Sequence, residues 1–332
     1  MYSAKEAVSA NNISEQFISQ MTIRYLTSRK LVFPTKSILD EERRINSWLG
    51  IGACGSITYG RARIGKTVCM NYVAESIRNQ YGSREMVIIW NVTDHPETER
   101  NFYASILMAM GYECPRYSTA LILKERVLNE LILRAHETPF KKAVMFIDEA
   151  WKLREKDFYW LMDLYNNLSG KDIQLSVFMY GTRELKDLKH SFKLQGKDQI
   201  VGRFMINESQ FFGIQDPKEL QFCMASVDKL HVCMTDYEIL SDGLVDFYFP
   251  YADGKTFFDI SNDFWEAFQS VRIQKRIAAE DIPMKYFIDS LVICLNMHGK
   301  LGNSPIAFPT RKELESCVAL SGYGESDDEY TK

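Results

Sequence analysis

The run Gly60-Arg61-Ala62-Arg63-Ile64-Gly65-Lys66-Thr67 constrains this chain more than any other segment, because it fits G-x-x-x-x-G-K-[ST] where a strand should hand over to a helix. Its glycines let the backbone turn tightly enough for several N–H groups to face one anion, and the following helix adds the positive end of its dipole. In that geometry Gly60, Arg61, Ala62, Arg63, Ile64 and Gly65 surround the phosphates of a nucleotide. Lys66 reaches the β- and γ-phosphates and Thr67 holds Mg²⁺. A chance match in a surface loop would have no acidic strand end to go with it.

Such a strand end is present. Ala143-Val144-Met145-Phe146-Ile147 is a continuous apolar run, as a buried parallel strand requires, and Asp148-Glu149 closes it. Ligands bind at the carboxyl ends of strands in sheets of this kind, so Asp148 is expected beside Thr67 as the second Mg²⁺ ligand. Glu149 is then a carboxylate not consumed by the metal, placed to polarise a water for in-line attack on the γ-phosphate. An acid that merely caps the next helix is compatible with this reading, since one residue can do both.

The chain has 332 residues, 46% hydrophobic and 25% charged, enough for one large core and a smaller one. No stretch approaches the roughly 20 apolar residues of a membrane span, and Met1 to Ala10 lacks the layout of a signal peptide, so a cytoplasmic protein is expected. Seven scattered cysteines and five dispersed histidines form neither a C-x-x-C pair nor a ligand spacing, and they read as reduced core residues without a zinc site. Net charge is −4, most of it in the acidic end that carries Glu325, Asp327, Asp328 and Glu329. That end has the composition of a disordered tail. The body is nearly neutral, with basic segments at Lys141, Lys142, Lys152, Arg154 and Lys156, and from Arg183 to Arg203. Such segments offer surface for phosphate contact or are simply solvated faces.

Alternating strand and helix patterns indicate an α/β fold: a P-loop parallel sheet flanked by helices, with a smaller C-terminal helical lid. Residues 1–50 read as an N-terminal arm, in which Ile13, Phe17, Met21 and Tyr25 recur at helical spacing and Asp40 to Leu49 forms a second helix. Residues 51–213 read as the core, with strands at 55–59, 86–90, 143–147, 175–180 and 204–212. Residues 214–300 are the mostly helical lid, and 301–332 a C-terminal segment with the acidic tail.

Two later features match AAA+ ATPases. Thr182, which ends the strand after Asp148, stands at the position of that class's sensor residue, and Arg203, in Gly202-Arg203-Phe204, stands where the class places an arginine finger aimed at a neighbouring subunit's nucleotide. Arg272 and Arg276 are positional candidates for a second sensor. Over residues 35–215 the chain resembles the TnsC and TniB type of AAA+ transposition regulators, relatives of MuB. The resemblance rests on the 60–67 loop, on Val144-Met145-Phe146-Ile147-Asp148-Glu149-Ala150, on Tyr180-Gly181-Thr182-Arg183-Glu184-Leu185 and on Gly202-Arg203-Phe204. The length and the small helical C-terminal part also look like the TnsC proteins of CRISPR-associated transposons.

The resemblance implies ATP and Mg²⁺ as cofactors, ATP hydrolysis, and self-assembly into a ring or helical filament around double-stranded DNA. It further implies that the ATPase answers a target-selection protein and recruits transposase subunits, with no membrane partner. Contacts to DNA in such an assembly go to phosphates, so binding is expected to be sequence-independent and salt-sensitive. Candidate contacts are Arg100, Arg116 and Lys124, and Lys152 and Arg154 after the acidic pair. Two other readings share the loop: a P-loop small-molecule kinase, and a scaffold that binds ATP with little turnover.

Overall fold

The five expected strand segments pair edge to edge. In the computed structural model, which describes residues 15–28, 31–82, 86–137, 140–233 and 239–325, they are β1 (Gly55–Tyr59), β2 (Val87–Asn91), β3 (Lys142–Asp148), β4 (Gln174–Gly181) and β5 (Asn207–Gln210). They form one sheet in the order β2-β3-β4-β1-β5, and every neighbouring pair is parallel. The helices up to residue 194 are α1 (Glu15–Leu26), α2 (Lys36–Gly50), α3 (Lys66–Tyr81), α4 (Glu99–Ala109), α5 (Ala120–His136), α6 (Glu155–Ser169) and α7 (Arg183–Leu194). Ile13 and the tail residues Asp327, Asp328 and Glu329 lie outside the described residues.

Residues 36–212 form one compact unit, and residues 1–35 together with 213–332 form another. In the first, the period of two along each strand sorts side chains between the faces of the sheet. Ile57 and Tyr59, Met145 and Ile147, and Val177 and Met179 join the apolar side chains of α4, α5 and α6 in a core that includes Phe102, Leu131, Phe158 and Leu161. The alternate residues include Phe146, Phe178 and Tyr180, whose rings pack together at centroid distances of 5.4 and 6.2 Å. Fully burying each such side chain contributes on the order of 2 kcal/mol, so the sheet is held from both sides.

The polar content of β1 has a partner. All five of its residues are buried, and Thr58 donates to the carboxylate of Glu41 on α2 at 2.5 Å. Ser209 of β5 and Tyr180 of β4 donate to the same carboxylate, at 2.8 and 3.2 Å. Glu41 is 1% exposed. Hydroxyls from three adjacent strands therefore fasten α2 to the sheet, which groups residues 36–50 with the core segment.

One strand differs from its expected span. Residues 204–212 were expected as the last strand, but only Asn207–Gln210 is extended, while Val201–Met205 winds into a helical turn. The turn buries Val201, Phe204 and Met205 together, whereas the edge strand that follows is polar, Asn-Glu-Ser-Gln.

In the other unit the pattern is mostly helical, with helices over Pro217–Val227, Ser261–Lys275, Met284–His298 and Arg311–Leu320, and with one antiparallel pair, His231–Cys233 and Ile239–Gly243, that the helical reading did not include. Its centre is aromatic: Phe33 meets Phe287 edge-on at 5.9 Å, and Phe268 meets Tyr323 at 5.0 Å. Helix α1 buries Ser19, Thr22 and Leu26, not the expected stripe, and Phe17 is exposed. On that face Ser19 shares a buried hydrogen bond of 2.8 Å with the hydroxyl of Tyr248, and Leu26 joins the apolar core.

Candidate functional site

The carboxyl ends of β1, β3 and β4 lie side by side, because Tyr59 is in register with Gly181 and Ile147 with Met179. Residues 60–65 leave the end of β1 and enter the 16-residue helix α3. Two of the loop's glycines are there for close packing and for turning. A Cβ on Gly60 would stand 2.6 Å from the Phe211 carbonyl oxygen and 2.5 Å from Cδ1 of Ile64. Gly65, at the helix start, has φ of +106°, a conformation that glycine adopts without penalty. Arg63 also has positive φ, 65°, and is exposed, while Ile64 is buried beneath the loop.

Lys66 is 7% exposed and donates back to the Gly60 and Arg61 carbonyls at 3.0 and 2.5 Å, so its ammonium lies inside the loop's curve. Burial pushes this ammonium below its ordinary range, and the carboxylates of Glu149, Asp148 and Glu184 oppose that shift. Arg61, Ala62 and Arg63 complete the loop as the sequence ordered them.

Thr67 donates its hydroxyl to Asp148 Oδ2 at 2.7 Å, which brings the two expected Mg²⁺ ligands into direct contact. A hydroxyl and a carboxylate are hard oxygen donors of the kind that ion takes, and a partial site of two protein oxygens suits an ion that keeps several waters and phosphates. The other Asp148 oxygen accepts the Glu149 N–H at 3.0 Å. Glu149 itself sits in the left-handed region, φ 55°, and its Oε2 accepts the indole N–H of Trp151 at 2.5 Å.

Thr182 heads α7 at the end of β4, beside the loop, and its hydroxyl donates to the carboxylate of Glu184. Arg203 is elsewhere. It precedes β5, whereas the loop follows β1, and the two strands run parallel. The five residues of β1, at about 3.3 Å each, put roughly 15 Å of strand between them. Arg203 stacks over the Tyr165 ring at 4.8 Å and donates to Asn166 Oδ1 at 3.0 Å.

The residues considered for DNA contact fall into two sets. Arg100 donates to the carbonyls of Ser118, Pro115 and Arg116, Lys124 pairs with Asp163, and Lys152 donates to the carbonyls of Val92 and Thr93. Arg116 and Arg154 are exposed. In the basic segments, Lys189 is bonded to Glu208 at 2.5 Å and Lys197 to Glu155 at 2.6 Å. Arg272, in the other unit, is spent on Gln269, Glu280 and Tyr323, and Arg276 caps the helix Ser261–Lys275 at φ 55°.

Sequence reasoning did not find Trp151 or Glu41. Trp151 stands two residues after the acidic pair, and a large aromatic so close to a strand end was the available signal. Glu41 reads as a surface acid of an amphipathic helix. The signal for it lay across the sheet, in the hydroxyls of Thr58 and Ser209 within strands that are buried at those positions.

Residues 54–188 match the family model of the AAA domain. No curated protein matches the chain. Among solved structures, ORC1 of Aeropyrum pernix in complex with DNA is similar at a TM-score of 0.50 and 13% identity, over 90% of this chain and 69% of that one. Drosophila ORC bound to DNA follows at 0.47 and 13%, over 96% and 68%, and Cdc6p of Pyrobaculum aerophilum at 0.41 and 12%, over 93% and 84%. The parallel sheet, its strand order and the loop between β1 and α3 are those of the AAA+ P-loop fold.

Proposed function

From an AAA domain on an AAA+ P-loop fold, we propose that this chain is an ATPase that assembles on double-stranded DNA and links target-site selection to transposase recruitment. The observation that carries the ATPase reading is the junction of Thr67, Asp148, Glu149 and buried Lys66 at the ends of two parallel strands.

The loop N–H groups and Lys66 bind the phosphates, and Thr67 with Asp148 would hold Mg²⁺, which would supply charge neutralisation at the phosphates. Glu149 orients the attacking water and takes its proton. Thr182 stands on the third strand end and borders the γ-phosphate side. Arg203 is too far along the sheet to serve its own loop, so it acts on the nucleotide of an adjacent subunit, and turnover depends on assembly. In GTPases a finger supplied in trans is worth roughly 10³–10⁵ in rate.

DNA as partner is supported by the TnsC and TniB resemblance and agrees with a fold neighbour recorded in complex with DNA. Arg116 and Arg154 are the exposed candidates for phosphate contact, while Arg100, Lys124 and Lys152 would have to leave internal partners. The transposase subunits and the target-selection protein come from the resemblance alone.

The test is duplex DNA binding with ATP, a non-hydrolysable analogue, ADP and no nucleotide, at two salt concentrations, with particle size measured in parallel. Salt-sensitive binding and large particles with ATP or the analogue are expected. Phosphate transfer to an added acceptor would identify a kinase, and DNA-bound oligomers without turnover would identify a scaffold.

A further inference from the structure

The catalytic role given to Glu149 raises the question of what aims its carboxylate. Its backbone is fixed in the left-handed region, and its amide is fixed by Asp148, but neither sets the direction of the side chain. Trp151 does, through the 2.5 Å hydrogen bond from Nε1 to Oε2. The second carboxylate oxygen accepts no hydrogen bond among the described residues, which leaves it available to a water.

The indole is itself held. A Cβ on Gly181 would lie 3.3 Å from Cδ1 of Trp151, so the ring rests against the bare end of β4. The Lys152 ammonium stands 5.7 Å from the ring centroid and is tied to the Val92 and Thr93 carbonyls at 3.1 and 2.9 Å. The ring's remaining surface lines an open cleft of about 590 Å³ together with His95, Arg154, Leu188 and Gln195.

We propose that Trp151 is the positioning residue for Glu149: its indole N–H, braced between Gly181 and Lys152, holds the carboxylate in the orientation that activates the attacking water. This inference rests on the ATPase reading and adds a residue that the AAA domain match does not assign.

Trp151→Phe keeps an aromatic ring, though a smaller one, and removes the donor. A hydrogen bond to a charged group is worth roughly 10–100-fold in an equilibrium or a rate, so kcat should fall by about that factor while KM for ATP stays within about twofold. In a Glu149→Gln background the same change should have no further effect on residual turnover. The indole N–H resonance that Trp151→Phe removes from the NMR spectrum should lie downfield in the native protein and move on Glu149→Gln, which reports the contact without any need for turnover.

Native kcat in Trp151→Phe, or an indole resonance indifferent to Glu149→Gln, would overturn the proposal. So would a loss shared between KM and kcat with a lowered melting temperature, which marks a purely structural ring. Native turnover in Glu149→Gln alone would instead overturn the ATPase assignment of Glu149, and the resonance would still decide whether Trp151 holds it.

Discussion

Lys66 is a cation placed where water cannot easily reach it, and its folded-state affinity for protons is lowered by that burial. The sign follows from linkage. Below the lowered value both the folded and the unfolded chain hold the proton and the full penalty of burial applies; as pH rises from there to the ordinary 10.5, the folded state sheds the proton first and the penalty disappears. Lys66→Met should therefore raise the stability of the nucleotide-free protein by about 1 kcal/mol at neutral pH, flatten the gain expected of the native protein toward alkaline pH, and abolish ATP binding. Denaturant melts across pH beside nucleotide titrations check all three, and a variant no more stable than the native chain would contradict the burial argument. At this scale the places in the fold of the loop residues, Asp148 and Glu149 were legible because each is tied by covalent sequence to a strand end. The partners Trp151 and Glu184 were not, since hydrogen bonds between side chains two residues apart leave no periodic trace.

Elements were legible where burial is uniform. β1, β3 and β4 lie within one residue of their expected spans, because strands covered on both faces read as unbroken apolar runs or as runs of small buried hydroxyls. β5 was not, since an edge strand is polar and its apolar neighbours belong to a helical turn. That turn sets the direction of Arg203, which rests on Tyr165 and Asn166 of α6 at the end of the sheet away from the loop. Arg203→Ala should leave ATP affinity of the isolated subunit within about twofold of native and lower hydrolysis of the assembled protein by at least tenfold. Mixing it with Glu149→Gln subunits is the sharper measurement. Glu149→Gln still binds ATP and supplies intact fingers while Arg203→Ala supplies intact loops, so the mixture should regain part of the turnover that each lacks. No regain would remove Arg203 from a trans role.

Over the whole molecule, the sheet-bearing unit begins before the strand that carries the loop. Residues 1–50 read as a single arm because the break at Phe33-Pro34 is short and both flanking helices are amphipathic. The division falls at residue 35, where the chain passes from one unit to the other. Glu41 ties α2 to the sheet, through hydroxyls that only the folded sheet brings together. Glu41→Leu should cost about 3 kcal/mol or more, since it leaves three buried hydroxyls to find new partners, and urea melts of the full chain measure it. A loss under about 1 kcal/mol would mean that the acid is incidental. Glu41, Thr58, Tyr180 and Ser209 also form one buried set, with only Arg44 reaching the same carboxylate among the described residues, at 3.8 Å, and this has consequences for how such a sequence drifts. Any one of them alone is costly to replace, whereas Leu, Val, Phe and Ala at the four positions together would restore an apolar seam at little cost. In related chains these positions should change as a group, either all polar or all apolar.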